Sequence, residues 1–150
     1  MFEMLSIDRR REAIARATPS KHKSAMGQFM TPSGIARFMT NMFNPLDGSR
    51  IKLLDAGAGI GSLTAAFTER AASEHASSLQ IEAWEIDPKL HEPLAETLAA
   101  CAELMTDFGG AFCSVIQSDD FILAFADIFG GEKMVAPTHA ILNPPYKKIS

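Results

Sequence analysis

The segment Ile51–Gly61, which reads IKLLDAGAGIG, decides the fold class. A short apolar run typical of a buried strand leads directly into Gly57, Gly59 and Gly61. Glycine lets the backbone turn sharply and lets a ligand approach it, and a following helix would direct its N–H groups at that ligand. The segment therefore predicts a strand, a ligand-binding turn and a helix, with a purely structural glycine turn as the alternative.

Strands and helices continue to alternate along the rest of the chain. The predicted elements are a helix from about Gly61 to Glu74, a strand over Leu79–Glu85, a helix capped by Asp87-Pro88, a strand over Ala111–Gln117, a helix over Ile122–Phe129 and a strand within Val135–Leu142 that starts near Thr138. Such alternation predicts an α/β fold with a parallel sheet, whose strands end at one common edge. Ligands of these folds bind at that edge.

A further helix is predicted ahead of the first strand. Thr31 is the expected N-cap and Pro32 the first helical residue. The apolar side chains that recur at helical spacing are Ile35, Phe38, Met39, Met42 and Phe43. Residues 3–17 are predicted to form a polar helix.

A length of 150 residues indicates that the chain forms at most one domain. With 47% hydrophobic and 21% charged residues it is an ordinary globular sequence, and its apolar runs are far shorter than the roughly 20 residues of a membrane span. We expect a cytoplasmic protein without membrane contact. Cys101 and Cys113 lack metal-type spacing and the four histidines are scattered, so no metal site is indicated.

Charge is distributed unevenly. Residues 1–23 hold six Lys or Arg against three Asp or Glu, whereas the remainder of the chain is acidic. Because phosphate contacts dominate affinity for nucleic acids, residues 1–24 form a candidate basic arm. The alternative is a solvated helix whose basic face has no partner.

Acidic residues follow three of the predicted strands. Asp55, two residues before the first glycine, suits a ligand that carries an amino group. Glu85 lies 24 residues beyond Gly61, near the spacing at which an acid meets ribose hydroxyls, with Glu82 and Asp87 as alternatives.

Asp120-Phe121 follows the third predicted strand and offers a carboxylate beside an aromatic ring. Asp119 is the competing acid. Capping of the next helix is the alternative role for both carboxylates.

Asn143-Pro144-Pro145-Tyr146 is the most specific motif. Two prolines fix the backbone, so their carbonyl groups and the Asn143 side chain form a rigid set of acceptors. Such acceptors favour attack by a planar amino group, whose lone pair is otherwise delocalised, and Tyr146 could stack on a planar substrate. The alternative is a proline turn that ends a strand.

Together these motifs resemble the amino-group methyltransferases that use S-adenosylmethionine (SAM), and within them the γ-class DNA adenine-N6 enzymes. In that class a segment like Gly27–Pro32 precedes the SAM turn, and Asn-Pro-Pro-Tyr follows it. The resemblance covers roughly residues 25–147 and implies a Rossmann-like SAM-dependent methyltransferase fold.

The resemblance also implies a role for each motif residue. The SAM site would comprise Thr31, Asp55 and Gly57 at the methionine part, Gly59 and Gly61 in the turn, Glu85 at the ribose, and Asp120 and Phe121 at the adenine. The target base would be held by Asn143, Pro144, Pro145 and Tyr146. Transfer would be direct, without a covalent enzyme intermediate.

By the same resemblance the partner is double-stranded DNA with a flipped base, in a restriction–modification or related defence system. Family members continue past Asn-Pro-Pro-Tyr, so we expect residues 25–150 to be the N-terminal part of a catalytic domain, truncated after strand four. A C-terminal half or a recognition subunit would complement it, and activity of this chain alone is left open.

Three alternatives remain: a protein glutamine-N5 (release factor) methyltransferase, an RNA amino-group methyltransferase, and a non-catalytic SAM-binding subunit. The position of Gly27–Pro32 ahead of the turn favours DNA. A nicotinamide-dependent dehydrogenase is disfavoured by the glycine spacing.

Overall fold

A computed structural model describes residues 9, 12–14, 16, 30–128 and 136–143. The described residues before position 17 are helical. The helices that follow are α1 (Ser33–Thr40), α2 (Ser62–Ser73), α3 (His91–Asp107) and α4 (Phe121–Ile128), with a 3-10 helix over Pro88–Leu90. The strands are β1 (Arg50–Ala56), β2 (Ser78–Trp84), β3 (Ala111–Gln117) and β4 (His139–Ile141).

The four strands form one parallel sheet in the order β3-β2-β1-β4. This arrangement confirms the predicted α/β, Rossmann-like fold class. β1 extends two residues beyond the apolar run Ile51–Leu54 from which a buried strand is predicted, because Asp55 and Ala56 still pair with Ala83 and Trp84. β4 is shorter than predicted and pairs with β1 over three residues only.

The hydrophobic core lies between one face of the sheet and helices α2 and α3. Side chains that alternate along β1 and β2 are almost fully buried there: Ile51, Leu53, Leu79, Ile81 and Ala83. Phe67 of α2 is completely buried and meets the Phe43 ring edge-on at 5.3 Å. Leu90, Leu94, Leu98 and Cys101 recur in the sequence at near-helical spacing, as expected for one face of a helix, and all four are buried.

Helix α1 differs from its prediction at both its start and its face. Pro32, not Thr31, is the N-cap, and it has no polar side chain with which to cap the helix. The Thr31 hydroxyl accepts from Asn143 instead. The buried residues of α1 are Ala36 and Thr40. Of the five apolar residues predicted to share a face, Met39 and Phe43 are partly buried against the core, whereas Ile35, Phe38 and Met42 are exposed.

Arg70 of α2 sets the orientation of α1. Its guanidinium donates to the carbonyl groups of Thr40 and Phe43 and pairs with Glu74 at 2.7 Å. These bonds satisfy carbonyl groups that the end of a helix leaves without partners. Within the described residues, no helix is long and apolar enough to cross a membrane.

Candidate functional site: a cleft at the carboxyl edge of the sheet

A cleft of about 310 Å³ lies where the parallel strands end. Its size falls in the usual range for small-molecule sites. Seven of the residues predicted for the site line it: Thr31, Gly57, Gly59, Glu85, Asp120, Phe121 and Asn143. The structure thus brings together motifs from the segment before α1 and from four strand ends.

The glycine turn is shaped by the end of β2. Gly57 and Gly59 have φ angles of 83° and 59°, and a side chain at either position would project into open space. The amides of Gly57 and Ala58 both donate to the Trp84 carbonyl, at 2.9 and 2.8 Å. A ligand can therefore lie close against the turn, although these two N–H groups already have partners within the protein.

Gly61 differs from Gly57 and Gly59 in that it packs against another helix. It is buried, it has a φ of 83°, and a Cβ there would come within 2.9 Å of Thr97 and 3.0 Å of Leu94. Gly61 lets α2 begin in close contact with α3 and does not line the cleft. Its place in the cofactor site remains a prediction from the motif.

Asp55 lies behind the turn and not on the cleft wall. Its carboxylate is fully buried, and the Thr64 hydroxyl donates to Oδ2 at 2.6 Å. Oδ1 has no hydrogen-bond partner among the described residues. Burial raises the pKa of Asp55 to about 6, against the lowering effect of Thr64. The contact of Asp55 with a ligand remains a prediction.

Of the three acids predicted as rivals near the end of β2, Glu85 lines the cleft, whereas Glu82 and Asp87 do not. Its Oε2 accepts from the Gly59 amide at 2.7 Å and its Oε1 from the Asp87 amide at 2.8 Å. Burial raises the pKa of this carboxyl, partly offset by those two bonds. A carboxylate oxygen accepts two hydrogen bonds, so each has capacity for a further donor.

The two competing acids have other bonds. Glu82 accepts from the indole nitrogen of Trp84 at 2.9 Å. Asp87 accepts from the Lys89 amide at 3.0 Å and caps the 3-10 helix, in agreement with its predicted capping role.

Asp120 lines the cleft and also caps α4. Its Oδ1 accepts from the amides of Ile122 and Leu123 at 2.8 and 3.1 Å, so the capping alternative holds for this residue. Asp119 lines the same part of the cleft. Phe121 meets the Trp84 ring edge-on at 5.5 Å.

Asn143 and Thr31 meet although 112 positions separate them. The Asn143 Nδ2 donates to the Thr31 hydroxyl at 3.0 Å. Pro144, Pro145 and Tyr146, the rest of the predicted target-base site, lie outside the described residues.

Neither cysteine lines the cleft. Cys101 is buried in α3, where burial raises the pKa of its thiol to about 12, and Cys113 is exposed on β3. Across residues 30–128 and 136–143, no three His, Cys, Asp or Glu side chains cluster as a metal site requires.

Sequence reasoning missed several residues that shape this site. Trp84 anchors the turn through its carbonyl group, Thr64 holds Asp55, and the Thr97 hydroxyl donates to the Ile60 carbonyl at 2.8 Å. None belongs to a motif. Only the position of Trp84 at the end of a predicted strand could have marked it.

The chain is similar to two methyltransferases. It is 43% identical over 134 residues to the Type II methyltransferase M.BsuBI of Bacillus subtilis, a match that covers 86% of this chain and 26% of that protein. It is 36% identical over 146 residues to the Type II methyltransferase M.PstI of Providencia stuartii, covering 96% and 28%. The chain thus spans about a quarter of the length of these relatives. No family model matches it. The similarity confirms the resemblance to methyltransferases.

Proposed function

We propose that this chain, a relative of part of the Type II methyltransferases, binds SAM and transfers its methyl group to the N6 amino group of adenine in DNA. It would do so as the N-terminal part of a catalytic domain in a restriction–modification or related defence system. The observation that carries the proposal is the meeting of seven motif residues in one cleft at the carboxyl edge of a parallel sheet.

The residues of the cleft fit SAM. Glu85 keeps acceptor capacity for the two ribose hydroxyls, and the open space at Gly57 and Gly59 admits a ligand against the turn. Ile86 and Phe121 offer apolar surface for an adenine ring. SAM, when bound, supplies an electrophilic methyl group on a positively charged sulfur.

The same turn fits a dinucleotide poorly. A pyrophosphate needs free backbone N–H groups, and those of Gly57, Ala58 and Gly59 donate within the protein. SAM has no phosphate, so its binding makes no such demand. This difference supports SAM over a nicotinamide cofactor.

In the proposed reaction, the Oδ1 of Asn143 and the carbonyl of Pro144 would accept the two hydrogens of N6. That bonding favours a more tetrahedral nitrogen and stabilises the positive charge that develops on it. Direct transfer would form a bond from N6 to the methyl carbon as the carbon–sulfur bond of SAM breaks, with the electron pair retained on sulfur and one N6 proton released to solvent. No thiol is assigned a role, because neither Cys101 nor Cys113 lines the cleft.

DNA as the substrate, adenine as the base and the defence role are the finer parts of the proposal. The motif order of Gly27–Pro32 ahead of the turn and Asn-Pro-Pro-Tyr after it supports them. The designation Type II in the names of both relatives is consistent with restriction–modification.

The cofactor is tested by titration calorimetry of the chain with SAM and, separately, with NAD. We expect saturable heat with SAM only. Phe121→Ala should weaken SAM binding by about tenfold, the order of one aromatic contact. Phe108→Ala is the matched control, because Phe108 is half-exposed at the end of α3 and does not line the cleft. Equal affinities in both variants would contradict the assignment of the cleft.

The substrate is tested by methyl transfer to duplex DNA, followed by digestion and mass spectrometry of the nucleosides. N6-methyladenine is the expected product, and the rate of its formation should fall strongly in Asn143→Ala. N4-methylcytosine would overturn adenine as the base. Transfer to RNA or to a glutamine-containing release-factor peptide, with none to DNA, would overturn DNA as the substrate.

A further inference from the structure

The hydrogen bond between Thr31 and Asn143 connects two segments that the fold restrains to different degrees. Among the strands that the structure describes, the three-residue β4 pairs with β1, over His139–Ile141. Asn143 lies two residues beyond the last of these pairs. Its side chain is half-buried at the cleft.

Thr31, by contrast, stands on a rigid support. It is 6% exposed and precedes Pro32, and a residue before proline is confined to extended conformations. Pro32 leads into α1, which is joined to α2 by the Arg37–Glu69 ion pair at 3.2 Å and by the bonds of Arg70 to the last turn. The Thr31 hydroxyl is thus held by the helical layer and not by the strand that carries Asn143.

A carboxamide is planar, and its donor nitrogen and its acceptor oxygen are bonded to the same carbon and point in different directions within that plane. When Nδ2 is bound to Thr31, the orientation of Oδ1 is determined as well. A reversed amide would present N–H hydrogens to a substrate amino group, which itself has only hydrogens to offer. The observed bond places Nδ2 toward Thr31, which is the orientation in which Oδ1 can accept from such an amino group.

From this geometry we infer that Thr31 is a positioning residue for Asn143, which holds the carboxamide so that Oδ1 accepts from the amino group of the substrate. The inference rests on the proposed function. It differs from the cofactor contact that the resemblance implies for Thr31, because it acts through Asn143.

The bond itself is tested by NMR of the side-chain amide of Asn143 in the 150-residue chain. Thr31→Val keeps the shape of the side chain and removes the hydroxyl, so the Asn143 amide signals should move toward those of a free asparagine. Thr31→Ser should restore them. Thr106→Val is the matched control, because Thr106 is exposed and its hydroxyl donates to the Ala102 carbonyl within α3, away from the cleft. Unchanged Asn143 signals in Thr31→Val would overturn the inference.

The catalytic consequence is tested by methyl transfer to duplex DNA. Thr31→Val should lower kcat by about 10- to 100-fold, the cost of a misplaced catalytic group. KM for SAM and the calorimetric Kd for SAM should not change. Thr31→Val should cause no further loss in an Asn143→Ala background. A rise in KM and Kd for SAM at constant kcat would show a cofactor contact instead and overturn the inference.

Failure of the proposed function is distinguishable from failure of this inference. If the wild-type chain neither binds SAM nor transfers methyl groups, the proposed function fails for this chain. The Asn143 amide signal still decides, in that case, whether Thr31 orients Asn143.

Discussion

The turn after β1 and the start of α4 lie at the same edge of the sheet. In the sequence, each has an acidic residue beside a candidate ligand-binding motif: Asp55 beside the glycines and Asp120 beside Phe121. In the structure, the two acidic residues differ in how deeply they are buried. Asp55 is fully buried under the turn, whereas Asp120 bonds to the first amides of α4 beside Ile122, which is 72% exposed.

The polar groups of the two regions also differ in the hydrogen bonds that they make. Around the turn, amides and carboxylates bond to distant elements: Gly59 to Glu85, Thr64 to Asp55, and Ala58 to Trp84. At α4 the cap bonds stay within three residues. Changes at the turn should consequently disturb the whole domain, and changes at α4 should act locally.

The largest effect is expected at Gly61. Gly61→Ala places a side chain in left-handed backbone and against Thr97, so we expect a loss of about 2–4 kcal/mol in the free energy of unfolding. Gly48→Ala is the matched control, with a φ of 62° but open space around the added carbon, and should lose about 1–2 kcal/mol. Urea denaturation measures both. Equal losses would show that backbone strain alone, and not contact with α3, explains Gly61.

The next effect concerns Asp55 and depends on pH. Its pKa rises from 3.8 in the unfolded chain to about 6 in the fold, so the folded state binds the proton more tightly. The stabilisation from this group is complete below pH 3.8 and is lost as pH rises through about 6. At about 1.4 kcal/mol per pKa unit, the loss is about 3 kcal/mol.

Asp55→Asn removes this titration. The stability of the variant relative to wild type should therefore increase between pH 4 and pH 7 by about 3 kcal/mol, measured by urea denaturation across that range. Asp47→Asn, in an exposed turn where asparagine is equally suitable, is the matched control. If the difference in stability between Asp55→Asn and wild type did not change with pH, the raised pKa of the buried Asp55 carboxyl would be wrong.

The smallest effect is expected at α4. Asp120→Ala removes the cap and should cost about 1 kcal/mol, while Asp120→Asn, which caps equally well, should cost little. Asp119→Ala is the neighbouring control, because Asp119 is exposed. A loss in Asp120→Ala as large as that in Gly61→Ala would remove the contrast between the two regions.

The fold class and the site edge were predictable because they depend on local signals. An apolar run followed by glycines predicts β1 and its turn, and the spacing of Leu90, Leu94 and Leu98 predicts α3. Once the strands are known to be parallel, it follows that their carboxyl ends lie at the same edge of the sheet. The strand order, and therefore which ends are neighbours, required the structure.

The roles of individual residues were less predictable. Spacing in the sequence left Glu82, Glu85 and Asp87 as alternative candidates for the acid at the ribose. The structure distinguishes them, because of these three only Glu85, directly after the end of β2, lines the cleft. Thr31 was expected to cap α1 and instead bonds Asn143, a residue 112 positions away. Motif spacing carries no information about such a partner.

The sequence by itself determined which helices and strands form, that the strands are parallel, and which motifs follow the strands. It could do so because backbone propensity, periodicity and turn chemistry act over a few neighbouring positions. Packing decided which glycine meets a ligand and which meets α3, which acid is buried, and which hydroxyl holds Asn143. Those outcomes depend on contacts between side chains that are close in space and far apart in the chain.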